Sequence, residues 1–234
     1  MAPTRDWVSF WDSAHPIYVN ARHLDVHYRK LADDMLALLP ARGARVLDFG
    51  CGEALQAHRV AEVAWELYLC EAAPKLRARL KQRFAKNPKI KVLAPEEVER
   101  LLPASLDLVI ANSVVQYLPR EELARLLGLV RRRLRMGGQI VIADVIAPNQ
   151  SALGDAFSLL KFAAGNGFLL AALAGLVRTM FSPYRGLRAR LGLTHYTEEE
   201  MLELLRSSGF NAERTRPNLG HNQSRMAFRG TKAS

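Results

Sequence analysis

Apolar or half-apolar side chains return every third or fourth residue from 22 to 39, at Leu24, Tyr28, Leu31, Met35 and Leu38, which predicts an amphipathic helix. Pro40 and Gly43 end it. Short apolar runs and helical spacing then alternate. Residues 45–49 are a β run entering a glycine-bearing turn, 55–65 return to helical spacing, and 66–70 make a second strand. Pro74 opens a helix reaching about residue 84, Asn87 and Pro88 stop it, and 89–93 are a third strand. A short helix is expected over 96–102. The continuous apolar run 106–111 suits a strand covered on both faces. Pro119, Glu121 and Glu122 open a helix reaching about Leu134, and Met136-Gly137-Gly138 closes it before a fifth strand over 139–146.

Such alternation predicts an α/β fold, a Rossmann-like, mostly parallel sheet with helices on both faces and ligands at the carboxyl ends of the strands. Residues 151–193 break the rhythm with two apolar helical stretches around Gly165-Asn166-Gly167 and a basic loop holding Arg185, Arg188 and Arg190. They form a helical lid insertion. Thr197 with Glu200 three residues on is a helix start, Ser208-Gly209 ends that helix, and 211–216 with 224–231 form an antiparallel C-terminal hairpin that brings the sheet to seven strands. One domain is expected over 1–234: a helical cap at 1–43, a core at 44–150, the lid at 151–195, and a closing helix and strands at 196–234.

Composition narrows the setting. With 49% hydrophobic residues the chain can bury a full core, and 33 Lys plus Arg against 23 Asp plus Glu give a net charge of +10. That excess draws a surface toward nucleic acid or an anionic membrane, or merely solvates its faces. Two cysteines, and an N-terminus carrying Asp6, Trp7 and Trp11 rather than a basic stretch before an apolar run, favour a cytoplasmic protein. Sixteen uncharged residues separate Lys161 from Arg178, too few and too rich in glycine for a membrane span. Three readings stay open for this stretch: a substrate lid, a peripheral contact of 161–190 with the inner face of a membrane, or a homodimer contact.

The chemistry gathers on the turn after the first strand. Gly50 and Gly52 let the backbone approach a ligand, Asp48 precedes them, and Glu71 ends the next strand, placed to accept ribose hydroxyl hydrogen bonds. A nicotinamide enzyme would share the glycines and Glu71, but a carboxylate at 48 would repel a pyrophosphate and attract a sulfonium or an ammonium. The segments Val46 to Ala54, Tyr68 to Ala72, Leu106 to Ser113 and Leu134 to Gly138 resemble, in order and spacing, the consecutive motifs of the class I S-adenosylmethionine-dependent methyltransferases. The resemblance implies that Asp48, Gly50, Cys51 and Gly52 surround the methionine part of S-adenosylmethionine. Glu71 would hold the ribose, Ala72 would lie against the adenine, and Asn112 would contact the methionine end through its backbone. Two positions depart from the pattern: Ala54 replaces a third glycine, and Ala94-Pro95-Glu96 replaces the usual acidic position, leaving Glu96 as the expected adenine partner.

The acceptor side is less legible. His15, Tyr18, His23, His27 and Tyr28 crowd the segment resembling the leading helix that covers the cofactor, while Tyr117 and His195-Tyr196 follow strand and lid. Tyr18, His23, Tyr117 and His195 are the candidates for a catalytic hydroxyl or base. His23 and His27 share a helix face but lack a third ligand in the sequence, so no metal is expected. The apolar lid implies a small lipophilic, aromatic or lipid-like acceptor. Eight basic residues without an acid over 75–91, and Arg131-Arg132-Arg133, keep an RNA methyltransferase as an alternative. Another is an inactive cofactor-binding partner subunit of the same fold.

Overall fold

The structure, a computed structural model, describes residues 3–13, 18–180 and 192–233. His15 and the three arginines at 185, 188 and 190 lie outside the described residues. Seven strands form one sheet: β1 (Arg45–Phe49), β2 (Glu66–Cys70), β3 (Ile90–Leu93), β4 (Leu106–Asn112), β5 (Leu134–Val145), β6 (Phe210–Thr215) and β7 (Met226–Lys232). Their order is β3-β2-β1-β4-β5-β7-β6. The first five are parallel, and β7 runs antiparallel between β5 and β6. Strand order reverses between β1 and β4, which sets a crevice at their carboxyl ends. Val46 and Leu47 on β1, and Leu108 to Ala111 on β4, are all buried, as expected of strands covered on both faces.

One face carries α2 (Ala21–Leu38), α3 (Ala57–Val63) and α4 (Pro74–Arg83), whose Leu31, Val60 and Leu80 join a single core cluster. The other carries α5 (Arg120–Arg133) and the helix Glu198–Ser207, here α8, through Leu123, Leu127 and Leu205. In α8, Thr197 Oγ1 accepts from the Glu200 amide and the Glu200 carboxylate accepts from the Thr197 amide, so the expected capping box is complete. The lid consists of α6 (Ala152–Asn166) and α7 (Leu169–Met180), joined through Gly167 in the left-handed conformation at φ +73°.

Two features differ from the sequence pattern. Residues 3–11 form a helix, α1 (Pro3–Trp11), that periodicity over so short a stretch did not mark. The expected helix stop at Met136-Gly137-Gly138 lies inside β5, which starts directly at Leu134. Leu106 pairs with Leu134 and Leu108 with Gln139, so β5 carries extra residues in a bulge, with Gly137 at φ +71°. A side chain at Gly138 would stand 2.9 Å from the Arg135 carbonyl, which explains the second glycine.

Buried Asn218 fastens the loop between β6 and β7 to the end of β5. Its Oδ1 accepts from the Asp144 amide, and its Nδ2 donates to the carbonyls of Leu219 and Asn222. Asn218→Ala strands these groups, and a loss of about 3 kcal/mol is expected from denaturant unfolding. A loss below about 1 kcal/mol would mean that water takes over the bonds.

Candidate functional site

A hollow of about 440 Å³ opens at the crevice between β1 and β4, a size suited to a small ligand. Gly50, Glu71, Ala72, Pro95 and Ser113 line it. The turn that forms its floor is tightly built: the amides of Gly50 and Cys51 both donate to the Cys70 carbonyl. Gly50 takes φ +77°, and a Cβ there would stand 2.3 Å from Val114 Cγ2. A Cβ on Gly52 would stand 2.6 Å from the Tyr28 hydroxyl. No side chain fits at either position. Ala54, in the third glycine's place, adopts φ +44°, at a cost of about 1 kcal/mol. Ser113 and Asp144, after β4 and near the end of β5, also take positive φ. Three of the four described non-glycine residues with positive φ thus lie at the carboxyl ends of the central strands, the fourth being Ala104 ahead of β4.

Two buried carboxylates face each other here. Glu71 accepts from the Gly52 amide at 3.0 Å through Oε2 and from the Ala73 amide at 2.8 Å through Oε1. Burial still raises its pKa above the usual carboxylate range, although those amides and Arg77 pull it down. Asp48 is pushed up to about 7, by burial first and the charge of Glu71 second. Asn112 donates to Ser113 Oγ, which donates to Asp144, but the buried Asn112 Oδ1 has no hydrogen-bond partner among the described residues. The site thus presents acid and carbonyl oxygens to a ligand that carries donors and positive charge.

α1 closes the outer side of the hollow. Trp7 and Trp11 line it, with ring centroids 4.7 Å and 5.8 Å from that of Tyr117. Asp12, just past α1, accepts from the amides of Lys75 and Leu76, where Ala73 gives α4 no side-chain cap of its own. A carboxylate on a helix N-terminus is a favourable anchor for the strap.

A cluster of imidazole and aromatic rings packs between α2, the lid and the loop after β6. The rings of His23, His27 and His221 form a triangle with centroids 6.3 to 6.4 Å apart. His23 stacks on Phe168 at 5.0 Å and His221 on Phe162 at 4.7 Å. Burial, then the neighbouring imidazoles, lower His23 to about 4 and His27 to about 3, and burial lowers His221 as well. All three are neutral at ordinary pH. No metal-holding group of three such side chains occurs among the described residues. Tyr18 packs against the same cluster and donates to the Tyr28 hydroxyl at 3.3 Å, which accepts from the Glu53 amide at 2.8 Å. Burial lifts the Tyr18 phenol to about 12.

Of the expected cofactor residues, Gly50, Glu71 and Ala72 line the hollow, and Asp48, Cys51, Gly52 and Asn112 stand in the adjoining turn and strand ends. Glu96 does not join them. It is exposed on the 3-10 turn Pro95–Arg100, and Pro95 takes the place at the wall. Among the expected acceptor-side residues, Tyr117 lines the hollow, and Tyr18 and His23 belong to the ring cluster. His195 lies apart from both, and its carbonyl accepts from Arg120. Tyr196 is fully buried in the core with Arg120 over its ring, because the chain after the lid runs back along β5. The sequence reading missed Trp7, Trp11 and His221. The tryptophans stand one helical turn apart, a usable signal, whereas His221 sits in a loop with no pattern.

Residues 47–142 match the family model of a methyltransferase domain. Uncharacterized methyltransferases of Mycobacterium tuberculosis and Mycobacterium bovis are 33% identical over 129 residues, covering 53% of this chain. The chain spans 61% of the length of these curated relatives. Among solved structures, phosphoethanolamine N-methyltransferase 1 of Haemonchus contortus aligns with a TM-score of 0.62 at 16% identity, over 99% of this chain and 49% of that one. Magnesium protoporphyrin IX methyltransferase of Synechocystis aligns with a TM-score of 0.56 at 16% identity, over 98% and 94%. At such identities these structures speak for the fold.

The raised pKa of Asp48 has a consequence for binding. A cationic ligand favours the ionised carboxylate, so binding below neutrality releases a proton. Affinity for S-adenosylmethionine, measured by calorimetry, is expected to rise by up to about tenfold between about pH 6 and about pH 8 and then level off. Asp48→Asn should bind more weakly with a flat profile. An unchanged slope in that variant would place the titrating group elsewhere.

Proposed function

We propose that this chain, whose residues 47–142 are a methyltransferase domain in the class I S-adenosylmethionine-dependent fold, moves a methyl group from S-adenosylmethionine to a small lipophilic or aromatic, lipid-like acceptor. The observation that carries the acceptor reading is the cluster of neutral imidazoles and aromatic rings packed against the lid, joined through Tyr28 to the glycine turn.

S-adenosylmethionine supplies a methyl group already activated on a sulfonium, so the protein has only to orient the acceptor, exclude water and accommodate a proton. The residues present fit this cofactor. Glu71 keeps lone pairs for ribose hydroxyls beyond its two amide bonds, and Asp48 and the unpaired Asn112 Oδ1 suit a cationic methionine end. The clashes at Gly50 and Gly52 explain why the backbone there must stay bare. Ala72 and Pro95 offer apolar walls for a flat ring, and Trp7 and Trp11 cover it.

On the acceptor side, His27 and His221 accept a hydrogen bond from a hydroxyl or amine without adding positive charge beside the donor. Tyr18 remains a phenol whose hydrogen goes to Tyr28, which leaves its oxygen as an acceptor. Phe162 and Phe168 supply the apolar contact. Structural neighbours named for phosphoethanolamine and for magnesium protoporphyrin IX span polar and apolar acceptors, so the choice rests on the ring cluster itself. Half of the basic run at 75–91 is engaged within the fold, which weakens the RNA alternative. Arg79 and Arg83 pair with Glu53, Arg77 binds the carbonyls of Glu71 and Ala72, and Lys89 binds those of Glu62 and Ala64.

Methyl transfer to a panel of lipophilic phenols, amines and RNA, followed as S-adenosylhomocysteine formed, tests the proposal. Turnover is expected with the apolar panel. His27→Phe, which keeps the ring and loses its nitrogens, should lower kcat/KM by roughly tenfold with cofactor affinity unchanged. Turnover on RNA alone would overturn the acceptor reading, and cofactor binding without any turnover would favour an inactive partner subunit.

A further inference from the structure

We infer that the outer face of the α6–α7 pair docks on an anionic lipid surface. Among the described residues nine large apolar side chains are exposed, and six of them lie here: Leu153, Phe157, Leu169, Leu170, Leu173 and Val177. The other three, Trp65, Leu102 and Met136, are scattered on separate loops and strands, as single exposed apolar residues ordinarily are. Exposure on the pair is deep: 83% at Leu153, 70% at Phe157 and 82% at Leu170.

The spacing follows the helices. Leu153 and Phe157 are one turn apart on α6, with exposed Lys161 a turn further on. Leu169, Leu170, Leu173 and Val177 share one side of α7, while Phe168, Ala172 and Gly175 are buried on the side that meets α6 and α2. A helix pair of this size needs only its inner side for folding. Its outer side is left unpartnered.

Charge selects the occupant. After Asp155 the charged side chains of the pair are Lys161 and Arg178, both exposed cations, and the sequence from residue 156 to residue 197 holds no Asp or Glu. Asp155, in the first turn of α6, is already paired with Arg225 at 2.6 Å. A second copy meeting this face by two-fold symmetry would set cation against cation. A bilayer with anionic headgroups offers opposite charge at the rim and hydrocarbon beneath the apolar residues. No described helix is long and apolar enough to cross a membrane, so the pair lies along the surface. The inference goes beyond the acceptor reading and does not depend on it.

Co-sedimentation of the full chain with vesicles of equal parts phosphatidylcholine and phosphatidylglycerol tests it, against vesicles of phosphatidylcholine alone. Binding is expected on the anionic vesicles only and should weaken as salt is raised. Phe157→Ser combined with Leu170→Ser should lower partitioning by roughly tenfold or more, and Lys161→Gln combined with Arg178→Gln by roughly tenfold. Circular dichroism and S-adenosylhomocysteine affinity should stay unchanged in both variants, separating docking from folding and from cofactor binding. Equal binding to both vesicle types, or none, would overturn the inference. So would a wild-type dimer in sedimentation velocity that becomes monomeric in the Phe157→Ser, Leu170→Ser variant.

Discussion

Asp48 and Glu71 are buried side by side at the carboxyl ends of β1 and β2, and much of the surrounding structure compensates for that burial. Two ionised carboxylates without partners in such a place would cost several kcal/mol. Glu71 is offset by amides of the glycine turn and of the α4 entry. Asp48 holds its proton up to about pH 7 instead. The turn must therefore bring backbone N–H groups close, which requires the left-handed, side-chain-free conformations at Gly50 and Gly52. A cationic ligand would complete the balance, and specificity for one follows from the cost of leaving the pair without it.

The same end of the sheet is wired outward. Asn112 bonds to Ser113 and Ser113 to Asp144, whose amide is held by Asn218. Arg225 stands 4.0 Å from Asp144 and pairs with Asp155 in the first turn of α6. A continuous polar chain thus runs from the switch point of the sheet to the base of the lid. On the opposite side α1 is anchored by Asp12 on the N-terminus of α4, the helix that follows Glu71. α1 and the α6–α7 pair are thus both fastened to elements at the carboxyl end of the sheet.

The core strands and their order of appearance were readable from the sequence because apolar runs on doubly covered strands interrupt helical spacing plainly. The glycine turn beside Asp48 and Glu71 was readable for a related reason: close backbone packing demands particular residue types at set distances. The start of β5 was not, since a bulge around Gly137 has the same composition as a turn between elements. Glu96 illustrates a different limit. Its place on a 3-10 turn aims it outward, and no residue pattern separates the two sides of so short an element. The imidazole cluster depends on His221, brought beside His23 and His27 by a loop that Asn218 folds, a contact between segments nearly two hundred residues apart. Tertiary placement of that kind leaves no local trace.

A crystal structure with S-adenosylhomocysteine bound tests the central claim most directly. The account predicts ribose hydroxyls within hydrogen-bond distance of the Glu71 carboxylate, the methionine ammonium near Asp48 and Asn112 Oδ1, and the adenine between Ala72 and Pro95 beneath Trp7 and Trp11. A ligand seated away from Glu71, or no ligand in crystals grown at saturating concentration, would contradict it.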